Sequence, residues 1–211
     1  MRTEHLIAAM AADLGRERPV EAMLPWALLA AALVVGAACL LLLGPRPDLA
    51  SALGTPRVLL KQGFPVLLAV GGFGWAERLA RPAAPSGPWP LLLGAVPILL
   101  GGAVLATLDA LPRAGWCAAT LGQTHLDCLA SISLMALPIL VASLATLRRG
   151  ASLRPALTGA AAGLASGGTA AALYAIHCVE DSPLFYATWY GIAILGATAL
   201  GALAGARLLR W

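Results

Sequence analysis

Six stretches of about twenty apolar residues, at about 24–43, 57–79, 89–108, 127–147, 156–176 and 183–208, alternate with short polar segments along the chain. A continuous apolar run leaves no polar face for water, unlike the striped pattern of a helix on a soluble protein. About 20 helical residues cross a hydrocarbon core of about 30 Å, and a helix satisfies its own backbone there. The pattern predicts an all-α fold: a polytopic membrane bundle of six transmembrane helices over residues 24–211. A polar segment, residues 1–23, precedes the bundle and is expected to contain one short cytoplasmic helix. Composition agrees, with 60% hydrophobic and 11% charged residues against roughly 25% charged in an ordinary soluble domain. With the chain consumed by spans and short loops, no separate soluble catalytic domain is expected.

Charge sets the expected orientation. Ten of the fourteen Lys and Arg residues fall at one set of ends: Arg2, Arg16 and Arg18, Arg78 and Arg81, Arg148, Arg149 and Arg154, and Arg207 and Arg210. The alternate loops hold Arg46, Arg57, Lys61 and Arg113. The positive-inside rule then predicts a multi-pass protein with both termini cytoplasmic. The net charge of +4 is accounted for by this topology, and no direct nucleic-acid contact is expected. Residues 1–23 mix acids with bases ahead of the first apolar run, unlike a cleaved signal peptide.

Small residues supply the expected packing, since lipid gives helices no hydrophobic reason to associate. Gly159, Gly163 and Gly167 form one row in span 5, and Gly201 and Gly205 another in span 6. Pro65, Pro97 and Pro138 are expected to kink spans 2, 3 and 4. Lys61 and Glu77 sit near the ends of span 2, within snorkelling reach of the interface. No charge stands at mid-span, which weakens a transporter reading, because relays keep ionisable groups at depth.

Three cysteines share the sparsely basic side: Cys117 between spans 3 and 4, Cys128 at the start of span 4, and Cys178 after span 5. Cys39 lies within span 1 and reads as a small apolar residue. On the predicted topology the first three face the periplasm, where thiols tend to be paired, metal-bound or reactive. His125, Asp127, His177, Glu180 and Asp181 stand beside them. His125, Cys128, His177 and Cys178 supply two imidazoles and two thiols, a donor set that suits zinc or another thiophilic ion. The spacing lacks the usual short ligand pairs, and no resident cofactor is expected. There is no C-x-x-C, no Ser/His/Asp set, no phosphate-binding loop and no H-E-x-x-H, so the chain is not expected to be an enzyme.

Residues 3–14 read as one short helix with Leu6, Ile7, Met10 and Leu14 on a single face and Glu4 and Asp13 toward the other. Twelve residues are marginal as an isolated helix, so this face needs a partner. The polar side lacks the basic character of membrane-surface helices, which favours a groove on a cytoplasmic protein.

Several stretches together resemble the NrsF family, membrane anti-sigma factors that negatively regulate an extracytoplasmic-function sigma factor of the sigma F type. They are Thr3-Glu4-His5-Leu6-Ile7 with Ala11-Ala12-Asp13-Leu14, Arg46-Pro47-Asp48-Leu49, Leu59-Leu60-Lys61, and Arg148-Arg149-Gly150 with Leu153-Arg154-Pro155-Ala156. The most specific is His177-Cys178-Val179-Glu180-Asp181-Ser182-Pro183-Leu184-Phe185 with Trp189-Tyr190. The resemblance implies that Cys128 and Cys178 are sensor thiols for heavy-metal or oxidative stress. It also implies that residues 1–23 hold the sigma factor at the bacterial inner membrane; within them Leu6, Ile7, Met10, Asp13 and Leu14 are the candidate contact residues, on the helix reading above. Cys39 and Cys117 receive no role from it. A shift at the outer ends of spans 4 and 5 is expected to rearrange their cytoplasmic ends. Two other classes stay in play: a small-molecule or ion transporter, whose flux is independent of residues 1–23, and a membrane redox enzyme, which needs a bound quinone or haem near His177.

Overall fold

The computed structural model describes residues 3–13, 20–82, 84–85 and 87–210. Among these it forms nine helices and no strand: α1 (Thr3–Asp13), α2 (Val20–Leu42), α3 (Leu49–Ala52), α4 (Pro56–Leu79), α5 (Trp89–Ala110), α6 (Arg113–Leu121), α7 (His125–Leu147), α8 (Pro155–Tyr174) and α9 (Pro183–Leu208). The six long helices α2, α4, α5, α7, α8 and α9 are long and apolar enough to cross a membrane. The protein is an all-α membrane bundle, as the run pattern predicts. Three spans open on proline, at Pro56, Pro155 and Pro183. Proline suits the first helical position because its missing N–H would have no partner there.

The boundaries differ from expectation in three places. α2 begins at Val20 rather than 24, which puts Pro25 inside it. Two short helices, α3 and α6, occupy stretches read as loop. Each follows a proline-containing connection that turns the chain back across one end of the bundle.

α8 is the axis, with α9, α4 and α7 packed round it and α2 touching it more lightly. Its glycines let backbones meet. A Cβ on Gly159 would strike the Gly201 carbonyl and the Gly205 Cα, and one on Gly163 would strike the Ala197 carbonyl, with Thr198 Cα 2.8 Å away. The two predicted glycine rows are therefore one seam. A second seam joins α8 to α4, where a Cβ on Gly72 would lie 2.7 Å from Ala165 N, and one on Gly168 2.7 Å from the Pro65 carbonyl. α5 is peripheral, with Val96 its one buried residue.

Contacts between loops define two ends. At one, Ala151 N donates to the Ala80 carbonyl (3.0 Å) and Arg149 Nη1 reaches Met23 Sδ (3.4 Å). Val20, Leu24, Ala80, Leu147 and Leu209 share an apolar cluster there. At the other, residues 43–48, α6 and residues 175–182 meet. The predicted sensor thiols lie at this second end.

Candidate functional site

Cys128 lies one turn into α7, and Cys178 follows the last turn of α8. Both are buried, at 0% and 3% exposure. Their sulfurs are 3.6 Å apart and both thiols are free. Thr124 Oγ1 lies 3.7 Å from the Cys128 sulfur. The rings of Tyr174, Tyr190, Phe64 and Tyr186 pack beneath the pair at centroid separations of 5.6–6.3 Å. A cavity of ≈ 330 Å³ between Pro45, Arg46, Thr124, Tyr174, His177 and Cys178 opens beside it.

The position of Cys178 follows from how α8 stops. After Tyr174 the chain closes a last turn in which His177 N (2.9 Å) and Cys178 N (3.1 Å) both donate to the Tyr174 carbonyl. A helix end leaves carbonyls without intrahelical donors, and the neighbouring segments supply them. Arg46 N donates to the Ile176 carbonyl (3.0 Å). Lys61 Nζ donates to the Cys178 carbonyl, joined by a longer bond of 3.4 Å from Arg46 Nη1. Cations at a helix C-terminus also complement its dipole. The α6–α7 connection is held just as closely. Gly122 has φ +55°, and a Cβ there would lie 2.6 Å from the Phe185 ring. Gln123 N donates to Glu180 Oε1 (2.8 Å), and Trp189 Nε1 to the Thr120 carbonyl (2.8 Å).

Two buried cations require compensation, because an isolated charge out of water costs several kcal/mol. Arg46 forks onto Asp181, with Nη1–Oδ1 2.7 Å and Nη2–Oδ2 2.9 Å, and onto Asp48, at 2.8 and 3.0 Å. Lys61, only 1% exposed, bonds Asp181 Oδ1 at 3.1 Å. Lys61 therefore does not snorkel; it points into the bundle because an acceptor carbonyl and a carboxylate wait there. Glu77 pairs with Arg81 at 3.1 Å. Burial opposes ionisation of Asp181, yet the Arg46 hydrogen bonds and the charge of Lys61 outweigh it and hold the carboxyl below its usual range. The Cys178 thiol is pulled below its ordinary value, first by the hydrogen bond from Cys128 and then, against the cost of burial, by the charge of Lys61.

The four-residue donor set from sequence is not gathered on one point. Among the described residues no group of three or more His, Cys, Asp and Glu side chains stands in position to hold a metal ion. His125 stacks on Trp189 at 4.9 Å, and His177 Nδ1 bonds the Gly44 carbonyl at 2.8 Å. Cys117 is exposed on α6, and Cys39 is buried in α2. In α1, Leu6, Ile7 and Met10 are exposed, Asp13 is the last helical residue, and Leu14 lies outside the described residues. Sequence reasoning missed Arg46 and Lys61 as parts of the site. The available signals were a pair of cations on the sparsely basic side, each next to an apolar run, and their place in the Arg46-Pro47-Asp48-Leu49 and Leu59-Leu60-Lys61 stretches of the resemblance.

The fold and site define a class: a polytopic membrane protein with one buried dithiol braced by ion pairs at one end and a short exposed helix ahead of its first span. Residues 9–211 match the family described as NrsF, negative regulator of sigma F, and the chain belongs to that family. It is 38% identical over 218 aligned residues to the anti-sigma-F factor NrsF of Caulobacter vibrioides (strain NA1000 / CB15N), covering both chains completely. It is 36% identical over 217 to the probable anti-sigma-F factor NrsF of Azospira oryzae (strain ATCC BAA-33 / DSM 13638 / PS), again over both full lengths. No solved structure matches it.

Proposed function

We propose that this protein is an anti-sigma factor that holds an extracytoplasmic-function sigma factor of the sigma F type at the bacterial inner membrane and releases it when Cys128 and Cys178 are joined. In this reading both termini are cytoplasmic, residues 1–23 bind the sigma factor, and the thiols face the periplasm. The observation that carries it is the 3.6 Å approach of two buried, free sulfurs. Two thiolates sharing a tetrahedral ion with bonds of about 2.3 Å stand about 3.8 Å apart. A thiophilic atom therefore bridges the pair with little movement, displacing two protons. An oxidant instead draws the sulfurs to about 2.05 Å, removing two electrons with the two protons. Burial also supports a resting dithiol, since the bacterial periplasm oxidises accessible pairs kinetically.

A full switch from 1:99 to 99:1 takes about 5.5 kcal/mol of differential binding, whereas a disulfide typically contributes about 2–4 kcal/mol. Joining the thiols must therefore also change packing around them. On the sigma side, the proposed contact residues are the exposed Leu6, Ile7 and Met10, together with Asp13 and Leu14. The seams of the bundle are filled by glycine and alanine backbone, which lends the transporter reading no support.

Replacing Cys128 and Cys178 by Ser, singly and together, tests the sensing half. Sigma-dependent transcription in the double variant is expected to ignore cadmium or diamide, and normal induction there would refute it. Replacing Leu6, Ile7 and Met10 by Ser tests the binding half. Constitutive transcription from a protein that still inserts is expected.

A further inference from the structure

We propose that Arg46 is the positioning residue that couples the thiol pair to α2, so that α2 carries the signal to the opposite end of the bundle. This rests on the sensing reading above. The first ground is connectivity. The segment that leaves α2 is fastened to the Cys178 loop by His177 Nδ1 on the Gly44 carbonyl (2.8 Å), Arg46 N on the Ile176 carbonyl (3.0 Å) and the Arg46 fork on Asp181 (2.7 and 2.9 Å). Arg46 is the member that touches the loop through backbone and side chain alike. Any displacement of residues 176–181 pulls on the end of α2. The other end of α2, at Val20, is the helix start that follows α1 in the chain.

The second ground is compliance. α4, α8 and α9 meet through backbone atoms, where a sliding helix collides with carbonyls at once. α2 is held by side chains. Its closest glycine approach sets Gly36 against the Leu173 side chain, a group that can rotate away. Two cavities flank it, one of ≈ 420 Å³ between Val35, Cys39 and the α7 residues Leu134 and Met135, the other of ≈ 300 Å³ between Leu28, Leu29 and Phe73. Lipid chains can fill and leave such spaces, so α2 meets the least resistance of the helices joined to this loop. Lys61 also holds the Cys178 carbonyl, but its helix is locked against α8 by Gly72 and Gly168. The same pull therefore moves α2 and not α4.

The test uses full-length protein in lipid nanodiscs, with Cys39 and Cys117 replaced by Ala, and phenylarsine oxide as the probe. Two As–S bonds form with Cys128 and Cys178, and the arsenic oxygen leaves as water with the two thiol protons, so nothing is oxidised or reduced. Amide hydrogen exchange of residues 20–26 is expected to change by about threefold or more in this parent on adduct formation, as local opening equilibria shift. In Arg46→Met the adduct is expected by mass while the change at 20–26 falls to less than half that of the parent, the main-chain bond to Ile176 and the His177 bond to Gly44 being the links that remain. Arg46→Lys, which keeps a bond to Asp181, is expected to restore part of the response. An unchanged parent, or a response in Arg46→Met of half the parent's or more, overturns the proposal. Should Arg46→Met fail to accumulate or to take up the arsenical, Asp48→Ala and Asp181→Asn carry the comparison. The former is expected to keep the response and the latter to lose it, and equal responses overturn the proposal. Failure of the sensing reading looks different: exchange at 20–26 changes in the parent while sigma-dependent transcription in cells ignores the arsenical.

Discussion

The seam between α8 and α9 and the contact between α2 and α7 are built from opposite materials. In the first, Gly159, Gly163, Gly201 and Gly205 bring main chain against main chain. In the second, Val35 and Cys39 face Leu134 and Met135 across a cavity of ≈ 420 Å³. Both are apolar helix contacts in lipid, where packing and not water exclusion holds helices together. A backbone seam has one register, whereas a side-chain contact with spare volume has several of similar energy. The bundle thus joins a fixed unit of α4, α8 and α9 to a helix with freedom to shift, and the thiol end is fastened to both.

Gly163→Leu is the strongest way to break this contrast. Its side chain would meet the Ala197 carbonyl, with Thr198 Cα 2.8 Å from the new Cβ, and neither can turn aside. Overpacking of this kind costs about 3 kcal/mol. A large fall in thermal unfolding temperature in detergent is expected, and a variant as stable as its parent would show that the seam is not rigid.

Lys61→Met ranks next. It leaves the Cys178 carbonyl with only the longer Arg46 bond and removes one of the two cations on Asp181. Loss of a buried hydrogen bond of this type costs about 1–3 kcal/mol, again read by thermal unfolding. The arsenical adduct is still expected to form, because the sulfur–sulfur approach is set by α7 and the end of α8.

That network also fixes a pH dependence. The thiolate is the nucleophile, and the Cys178 thiol is held below its ordinary value, chiefly by the hydrogen bond from Cys128. Its alkylation rate by iodoacetamide is therefore expected to level off at a lower pH than that of an ordinary thiol near 8.5. Cys128→Ala removes the largest cause of the lowering, and Lys61→Met a lesser one, so both shift the midpoint upward. Peptide mass spectrometry over pH 5–9 checks this. A midpoint unchanged in both variants would separate the ion pairs from thiol chemistry.

Six spans were legible because an apolar run of helix length has few other solutions, and the glycine rows because spacing alone places them on one face. Cys128 and Cys178, fifty positions apart in the chain, stood out as thiols on the sparsely basic side, but their pairing came through the family resemblance rather than through spacing. α3 and α6 escaped because short helices at a bundle end owe their form to what they lie on; α6 is held by Trp189 through the Thr120 carbonyl. Lys61 was misread for a related reason. Sequence shows a cation near the end of an apolar run but not the carbonyl across the bundle that draws it inward. The His125 and His177 alternatives for a ligand set depended on side-chain direction, which stacking on Trp189 and the Gly44 carbonyl decide.

The smallest expected change in stability offers the sharpest view of the α2 contact. Ala38 lines the larger cavity together with Val35, Leu134 and Met135, so Ala38→Leu adds a side chain where there is room for it. Without collision, stability is expected to stay within about 0.5 kcal/mol of the parent, as for substitutions outside well-packed regions. The added contacts nevertheless tie α2 to α7. The exchange response of residues 20–26 to the arsenical should shrink while the adduct forms as before. A variant that unfolds like its parent, binds the reagent like its parent and still passes on less of the change would separate packing that holds the bundle together from packing that lets it move. A full response in Ala38→Leu would instead show that the spare volume beside α2 has no part in the motion, leaving connectivity through Arg46 as the sole ground for assigning the signal to that helix.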